Sequence, residues 1–381
     1  MDLRLTEEQQ LLKLAVREFA EAEIRPNIMS WDEAQSFPMD LLPKLAALGL
    51  MGIQVPESWG GAGMSAIAYC LCIEELARVD PSISLTVAAH NGLCVAHLKV
   101  FGNDAQKAQY LRPLAAGKHL GAWGLTEASS GSDAAAMRTA AVKDGGFWVI
   151  NGSKQFITHG RIGGTMVVTA VTDRTAGPRG ISAFVLSHGH PGMAAGKKEN
   201  KLGMRASDTS EVIFQDCRVP AAAMIGAPGE GFTQSMQVLD AGRIGIAALA
   251  VGLAQGAYEA ARRYALERRQ FGRPIGEFQA IRWKLADMAS RIEAARLLTY
   301  RAAWMRDQHA ERTSTESSIA KLYASEIAVR AAEECVQIHG GYGFVKDYPA
   351  EKFFRDVKLC TIGEGTSEIQ RLVIGRQLLG R

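Results

Sequence analysis

Charge of one sign is missing from this chain: 43 lysines and arginines against 40 aspartates and glutamates leave a formal net charge of +3 over 381 residues. No strong one-sign field results, which argues against nucleic acid or a charged membrane surface as partner. Long apolar runs are missing as well. No uninterrupted stretch reaches the roughly 20 residues of a membrane span, so no membrane insertion is expected. The six cysteines (Cys70, Cys72, Cys94, Cys217, Cys335 and Cys360) show neither metal-ligand spacing nor a disulfide framework. They read as buried thiols of a reducing compartment, with no metal site. An opening that carries Asp2, Glu7 and Glu8 rather than a basic leader points to the cytoplasm, or to the mitochondrial matrix for a mature eukaryotic chain. Also absent are a βαβ repeat and a Gly-x-Gly-x-x-Gly after a strand, so a Rossmann-type nucleotide site is not expected. The glycine-rich Ser58-Trp59-Gly60-Gly61-Ala62-Gly63 follows no strand and reads as a connector.

What is present is ordinary globular composition, 47% hydrophobic and 22% charged, with length for two or three packed domains. Residues 1–120 are predicted helical: Thr6 to Gln9 form a capping box, a helix through Leu41, Leu45 and Leu48 stops at Gly49, and later helices break at Asp80-Pro81-Ser82 and Gly102-Asn103-Asp104. Residues 121–227 change to short β-rich runs, among them Phe147–Ile150 and Gln155–Thr158 around a hairpin expected at Asn151-Gly152. Residues 228–381 return to helix, with one helix of nearly forty residues from Phe232 to about Arg269, then long helices near 277–308 and 313–339. The fold class is mainly α with a small β-barrel domain between an N-terminal helical domain and a C-terminal four-helix bundle.

The closing stretch concentrates the chemistry. Glu364 stands between Gly363 and Gly365 at the mouth of a predicted helix that Thr366 or Ser367 would cap. Flanking glycines allow a tight turn and leave the carboxylate unshielded, so it can project into a pocket. The competing reading is an acidic residue complementing a helix dipole.

Five motifs in order resemble the acyl-CoA dehydrogenase family of flavoproteins. They are Leu125-Thr126-Glu127 with Gly131-Ser132-Asp133, Asn151 to Thr158, Glu267-Arg268-Arg269-Gln270-Phe271-Gly272, Gln337-Ile338-His339-Gly340-Gly341, and Glu364 to Gln370. The stretches Asp240 to Ala247 and Ala295 to Thr299 place the likeness in the short-chain or short-branched-chain branch. The resemblance implies FAD-dependent removal of two hydrogens from an acyl-CoA thioester to give a trans-2-enoyl-CoA. By position, Glu364 resembles the base that takes the α-proton while the β-hydride passes to flavin N5. A desolvated carboxylate suits so weak an acid, and an enolate oxygen needs donors, which by resemblance are the Glu364 amide and a ribityl hydroxyl. One branch of the family carries its base on the long helix, at the position of Gly242, which has no carboxylate to offer.

The same likeness assigns Trp123, Leu125, Thr126, Ser132, Phe156 and Thr158 to the flavin, with Ser132 also touching substrate. It assigns Arg268, Gln270, Phe271, Gln337, Gly340 and Gly341 to the dinucleotide across a subunit interface, and Thr366 and Glu368 to the cofactor. That implies an oligomer, a homotetramer built as a dimer of dimers. Asp240 and Arg243 are expected near CoA, and His90, Gly363 and Gly365 beside the acyl group. Glycine at 363, where many relatives carry a bulky residue, suggests room for a branched or cyclic acyl chain. Ala128-Ser129 stands where the family often has Pro-Gly, which leaves the shape of that loop to be seen. Electron-transfer flavoprotein is the implied electron acceptor. The alternatives are an acyl-CoA oxidase or flavin monooxygenase using oxygen, whose members often lack the glutamate or carry extra C-terminal length, and a non-catalytic helical scaffold.

Overall fold

A computed structural model describes residues 4–310 and 312–380; Asp2 lies outside them. Thr6 caps the helix Glu7–Phe19 by the expected reciprocal box, its hydroxyl accepting from Gln9 N while Gln9 Oε1 accepts from Thr6 N. The break at 80–82 is a second cap. Asp80 Oδ1 accepts the Ser82 N–H at 2.7 Å and starts Pro81–Ala89 directly after Ala66–Val79.

The middle of the chain is one mixed sheet of eight strands: β1 (Leu120–Gly124), β2 (Ala140–Asp144), β3 (Phe147–Thr158), β4 (Gly163–Val171), β5 (Ile181–Ser187), β6 (Met193–Lys198), β7 (Thr209–Pro220) and β8 (Met224–Ile225). The path runs β6-β7-β3-β2-β4-β5-β8, with β1 parallel to β4. Its end strands β6 and β8 are not paired with each other, so the barrel is an open one.

The hairpin expected at Asn151-Gly152 is not formed. β3 runs through both residues, and its pairing with β7 slips between Ile150 and Gly152, where Gly152 has φ +141°. A β-carbon there would lie 2.7 Å from Thr139 Cα, so the glycine serves a bulge and a close approach rather than a reversal. The turn falls earlier, at Gly145-Gly146, where Asp144 pairs with Phe147.

Three long helices follow: Gly231–Glu267, Gln279–Asp307 and Ser314–His339, with Ser367–Leu379 packed on the third. The first is long and apolar enough by composition to cross a membrane, yet 72% of its apolar window is buried within the protein, as befits a core helix. It packs on Ala66–Val79 through a large shared core. All six cysteines are free and buried. One buried polar node joins distant parts of the chain: Lys352 donates to Asp80 Oδ1 at 3.1 Å and Asp356 Oδ2 at 2.6 Å, and the Met204 N–H donates to Asp356 Oδ1 at 2.6 Å.

Candidate active site

Glu364 adopts the left-handed conformation, φ +52°, and Gly365 follows at +95°. Two such residues in succession reverse the chain between the Leu359 carbonyl, which accepts from Gly363 N at 2.8 Å, and the Thr366 cap of the last helix. That turn throws the Glu364 side chain inward. Its Oε2 is buried and meets no hydrogen-bond partner. Across from it is Gly242 on the long helix, where a β-carbon would stand 2.0 Å from Oε2. The carboxylate therefore rests in space that only glycine leaves open. Burial pushes its pKa up to about 7, against the lowering charges of Lys321 and Arg243.

Arg243 is only 6% exposed. Its guanidinium pairs with Asp240, whose other oxygen accepts from Ser314 Oγ at 2.6 Å, while Arg243 Nε is buried without a partner. This is not a solvated helix-surface pair. Two neighbours escaped the sequence reading. Lys321, fully buried on the third long helix, donates to the Gly365 carbonyl at 2.7 Å, and burial lowers its pKa to about 8. Tyr69 brings its hydroxyl against Gly245 and Gly92, and burial, then the Glu364 charge, keeps its phenol protonated. The available signal for Lys321 was its place on a stripe with Ser317, Ala324 and Ala328 at helical spacing, where a cation breaks an otherwise small and buried face.

In the β domain, Trp123 on β1 donates through Nε1 to His97 Nδ1 at 3.1 Å, and His97 Nε2 in turn donates to Gln234 Oε1 at 3.0 Å. Leu125 is buried; Thr126 and Thr158 are half-buried; Ser132 is exposed. Phe156 is 62% exposed with φ +58°, a conformation that turns its ring out of the strand. The loop between β1 and β2 is held by a buried pair. Lys154 donates to Glu127 Oε1 at 2.8 Å, and both Glu127 oxygens also accept backbone N–H groups, of Arg138 and Thr139. Ala128-Ser129 forms a tight turn closed by two backbone bonds between Glu127 and Ser130. His90 is fully buried, Gly121 N donates to its Nδ1 at 2.9 Å, and its Nε2 donates to Met51 O at 2.9 Å. Both nitrogens are spent on the backbone, so it fastens β1 to the preceding loop as a hydrogen-bonded wall and has no nitrogen free for catalysis.

A second concavity, about 620 Å³, lies at the far end of the long helices and brings together Arg268, Gln270, Gly340 and Gly341. Arg268 lies over the Tyr342 ring and has no carboxylate partner among the described residues. Nothing would touch a β-carbon at Gly340 or Gly341 within 4 Å, so a ligand can approach the backbone there. Gln337, exposed in the last helical turn, accepts the Gly340 N–H. The hairpin Arg269–Pro274 turns through Phe271 (φ +52°) and Gly272 (φ +82°), which puts Phe271 93% exposed at its tip. An unpaired guanidinium beside bare glycine backbone fits the phosphates of a dinucleotide. Thr366 and Glu368 do not line this cleft; one caps the closing helix and the other is exposed in its first turn.

Comparison with known proteins agrees with this geometry. The descriptions of the acyl-CoA dehydrogenase N-terminal, middle and C-terminal domains match residues 6–118, 122–217 and 229–379. The short-chain-specific acyl-CoA dehydrogenase of Clostridium acetobutylicum is 46% identical over 378 residues, 99% of this chain and 100% of that one. The structure of butyryl-CoA dehydrogenase from Megasphaera elsdenii superposes with TM-score 0.97 at 42% identity, covering 100% of both chains. A chain in a structure described as the electron transferring flavoprotein of Acidaminococcus fermentans, towards a mechanism of flavin-based electron bifurcation, does so at 0.98 and 45%, again over 100% of both. With every domain matched in order and the likeness running the length of the fold, the chain belongs to the acyl-CoA dehydrogenase family.

Proposed function

We propose that this enzyme dehydrogenates a short acyl-CoA thioester to its trans-2-enoyl-CoA, with Glu364 taking the α-proton and electron-transfer flavoprotein receiving the electrons. The observation that carries the proposal is the Glu364 carboxyl: on a half-buried residue, its Oε2 is enclosed without a partner opposite Gly242, where burial pushes the pKa up to about 7. A base with so raised a proton affinity is ionised often enough near pH 7 to act, yet strong enough to draw a weakly acidic proton.

FAD is the cofactor of this family, and when bound it accepts the β-hydrogen as hydride. The residues present fit it. Arg268, Gln270, Gly340 and Gly341 face the dinucleotide cleft, with Gln337 at its edge, and Phe271 is presented for a second subunit of a homotetramer. Trp123, Leu125, Thr126, Ser132, Phe156 and Thr158 take the ring end, where the exposed Phe156 excludes water. Thr366, which caps the last helix, and Glu368 in its first turn are the further residues proposed to meet the cofactor. Arg243, fixed by Asp240, faces the CoA portion with Ser132. The Glu364 amide, with a ribityl hydroxyl of the flavin, would stabilise a developing enolate oxygen.

A β-carbon at Gly363 would meet only Leu359, at 3.5 Å or more. That space supports a short chain carrying a branch or small ring. Anaerobic titration of the FAD-loaded enzyme with straight, branched and cyclic short acyl-CoA thioesters tests both parts. Bleaching of the flavin by one class, absent in Glu364→Gln, is expected. Full bleaching in that variant would remove Glu364 from the role of base, and activity confined to straight-chain thioesters and unchanged by Gly363→Tyr would remove the branch.

A further inference from the structure

The turn that carries Glu364 is strained, and the ties that hold it differ in kind. Thr366 caps the following helix and Gln370 Nε2 donates to the Gly365 carbonyl at 2.9 Å, both neutral contacts from within the closing segment. The other donor to that carbonyl is the Lys321 ammonium, 2.7 Å away and reached from a different helix. Lys321 is fully buried and has no carboxylate within ion-pair distance among the described residues. A buried cation so placed is expensive, and a methionine or glutamine would clamp or pack at lower cost. Something beyond folding retains it.

We propose that Lys321 is a positioning residue for the base: a buried ammonium that fixes the Glu364-Gly365 turn and holds the carboxylate aimed at Gly242 in its ionised form. This rests on Glu364 being the base. Around Glu364, Tyr69 comes from the helix Ala66–Val79, Arg243 with its Asp240 from the long helix and Lys321 from the third; Cys360 and Glu368 of the closing segment act on Lys321 rather than on the base. Arg243 is paired with Asp240. Tyr69 and Cys360 stay protonated because burial raises both. Lys321 has no such pair among the described residues, and it stands ahead of Arg243 among the charges that oppose the effect of burial on the carboxylate. Without it, the carboxyl holds its proton to higher pH and is ionised less often near neutrality.

The test uses the FAD-loaded protein and reads Glu364 directly, as the infrared protonated-carboxyl band that Glu364→Gln abolishes, followed against pH. Lys321→Gln keeps a donor and the size while removing the charge, so it is the deciding variant; Lys321→Met removes both, and Lys321→Arg restores the charge. In Lys321→Gln the band should titrate about one pH unit higher, the alkaline-going limb of the flavin-reduction rate should move with it, and the rate at pH 7 should fall about fivefold. Lys321→Arg should return the midpoint toward the wild type. A midpoint unmoved in folded Lys321→Gln, or moved equally by Lys321→Arg, overturns the proposal. If Glu364→Gln still reduces flavin, the function proposed above fails, while the infrared midpoints continue to judge Lys321.

Discussion

Gly242→Ala separates the stability of this enzyme from its activity. The added β-carbon would lie 2.0 Å from Glu364 Oε2, and ordinary contact begins at 3.4 Å, so the oxygen must withdraw by about 1.4 Å, the difference of the two. The clash is with the far end of a flexible side chain, not with backbone, so the fold accommodates it. Alanine is also about 1 kcal/mol better than glycine inside a helix. The melting temperature should hold or rise. The reacting group, however, has moved by more than 1 Å, a displacement that costs about 100-fold in rate. Anaerobic stopped-flow flavin reduction at saturating short acyl-CoA, alongside thermal melts of the same preparation, measures both. Gly375→Ala on the last helix is the control, because a β-carbon there meets nothing within 4 Å. If Gly242→Ala reduces flavin within about threefold of the wild type, the carboxylate does not rest on Gly242 and the site geometry argued from that contact is refuted.

Three further outcomes rest on the charged side chains of the fold. The Glu364 pKa is raised from 4.5 to about 7, so the protonated form is the one that folding favours; its stabilisation is present below about pH 4.5 and is lost as pH rises through about 7. Glu364→Gln has no such loss, so in urea titrations it should gain on the wild type by about 3 kcal/mol across that window, and a constant difference would contradict the shift. Lys154→Met strands the Glu127 carboxylate, and breaking a buried pair from one side costs about 3 kcal/mol; Glu127→Gln with Lys154→Met should recover much of it in the same assay. Arg268→Lys loses the planar fork but no carboxylate partner among the described residues, so FAD affinity by fluorescence should drop about tenfold, with the FAD-free protein within about 0.5 kcal/mol of wild-type stability.

Local rules were legible where the chain answers to its neighbours in sequence. The Thr6 box, the Asp80 cap, the 37-residue helix and the Thr366 cap all obey nearest-neighbour hydrogen bonding and helical spacing. So did the exposure of Glu364 by its glycines, since that turn is built within four residues. Asn151-Gly152 misled because its conformation is set by β7, some sixty residues on, and by Thr139, which a side chain at 152 would strike. Nothing near His90 in sequence reveals that Gly121 and Met51 are the partners of its two nitrogens. Lys321 was passed over as one polar residue among many on an amphipathic helix; only the packing of the closing turn against that helix turns it into a neighbour of the base.

The buried node of Lys352, Asp80, Asp356 and the Met204 amide also bears on the order of assembly. Lys352 and Asp80 are 272 residues apart and Asp356 and Met204 are 152 apart, so these contacts close loops that must wait for most of the chain to be arranged. Asp356 leads into the segment that ends at Glu364. The segment that carries the carboxylate is docked only when the N-terminal helices, through Asp80, and the β domain, through Met204, both supply an anchor. During synthesis the base is thus the last part of the site to arrive, and a partly folded chain that has bound flavin carries an incomplete reaction centre.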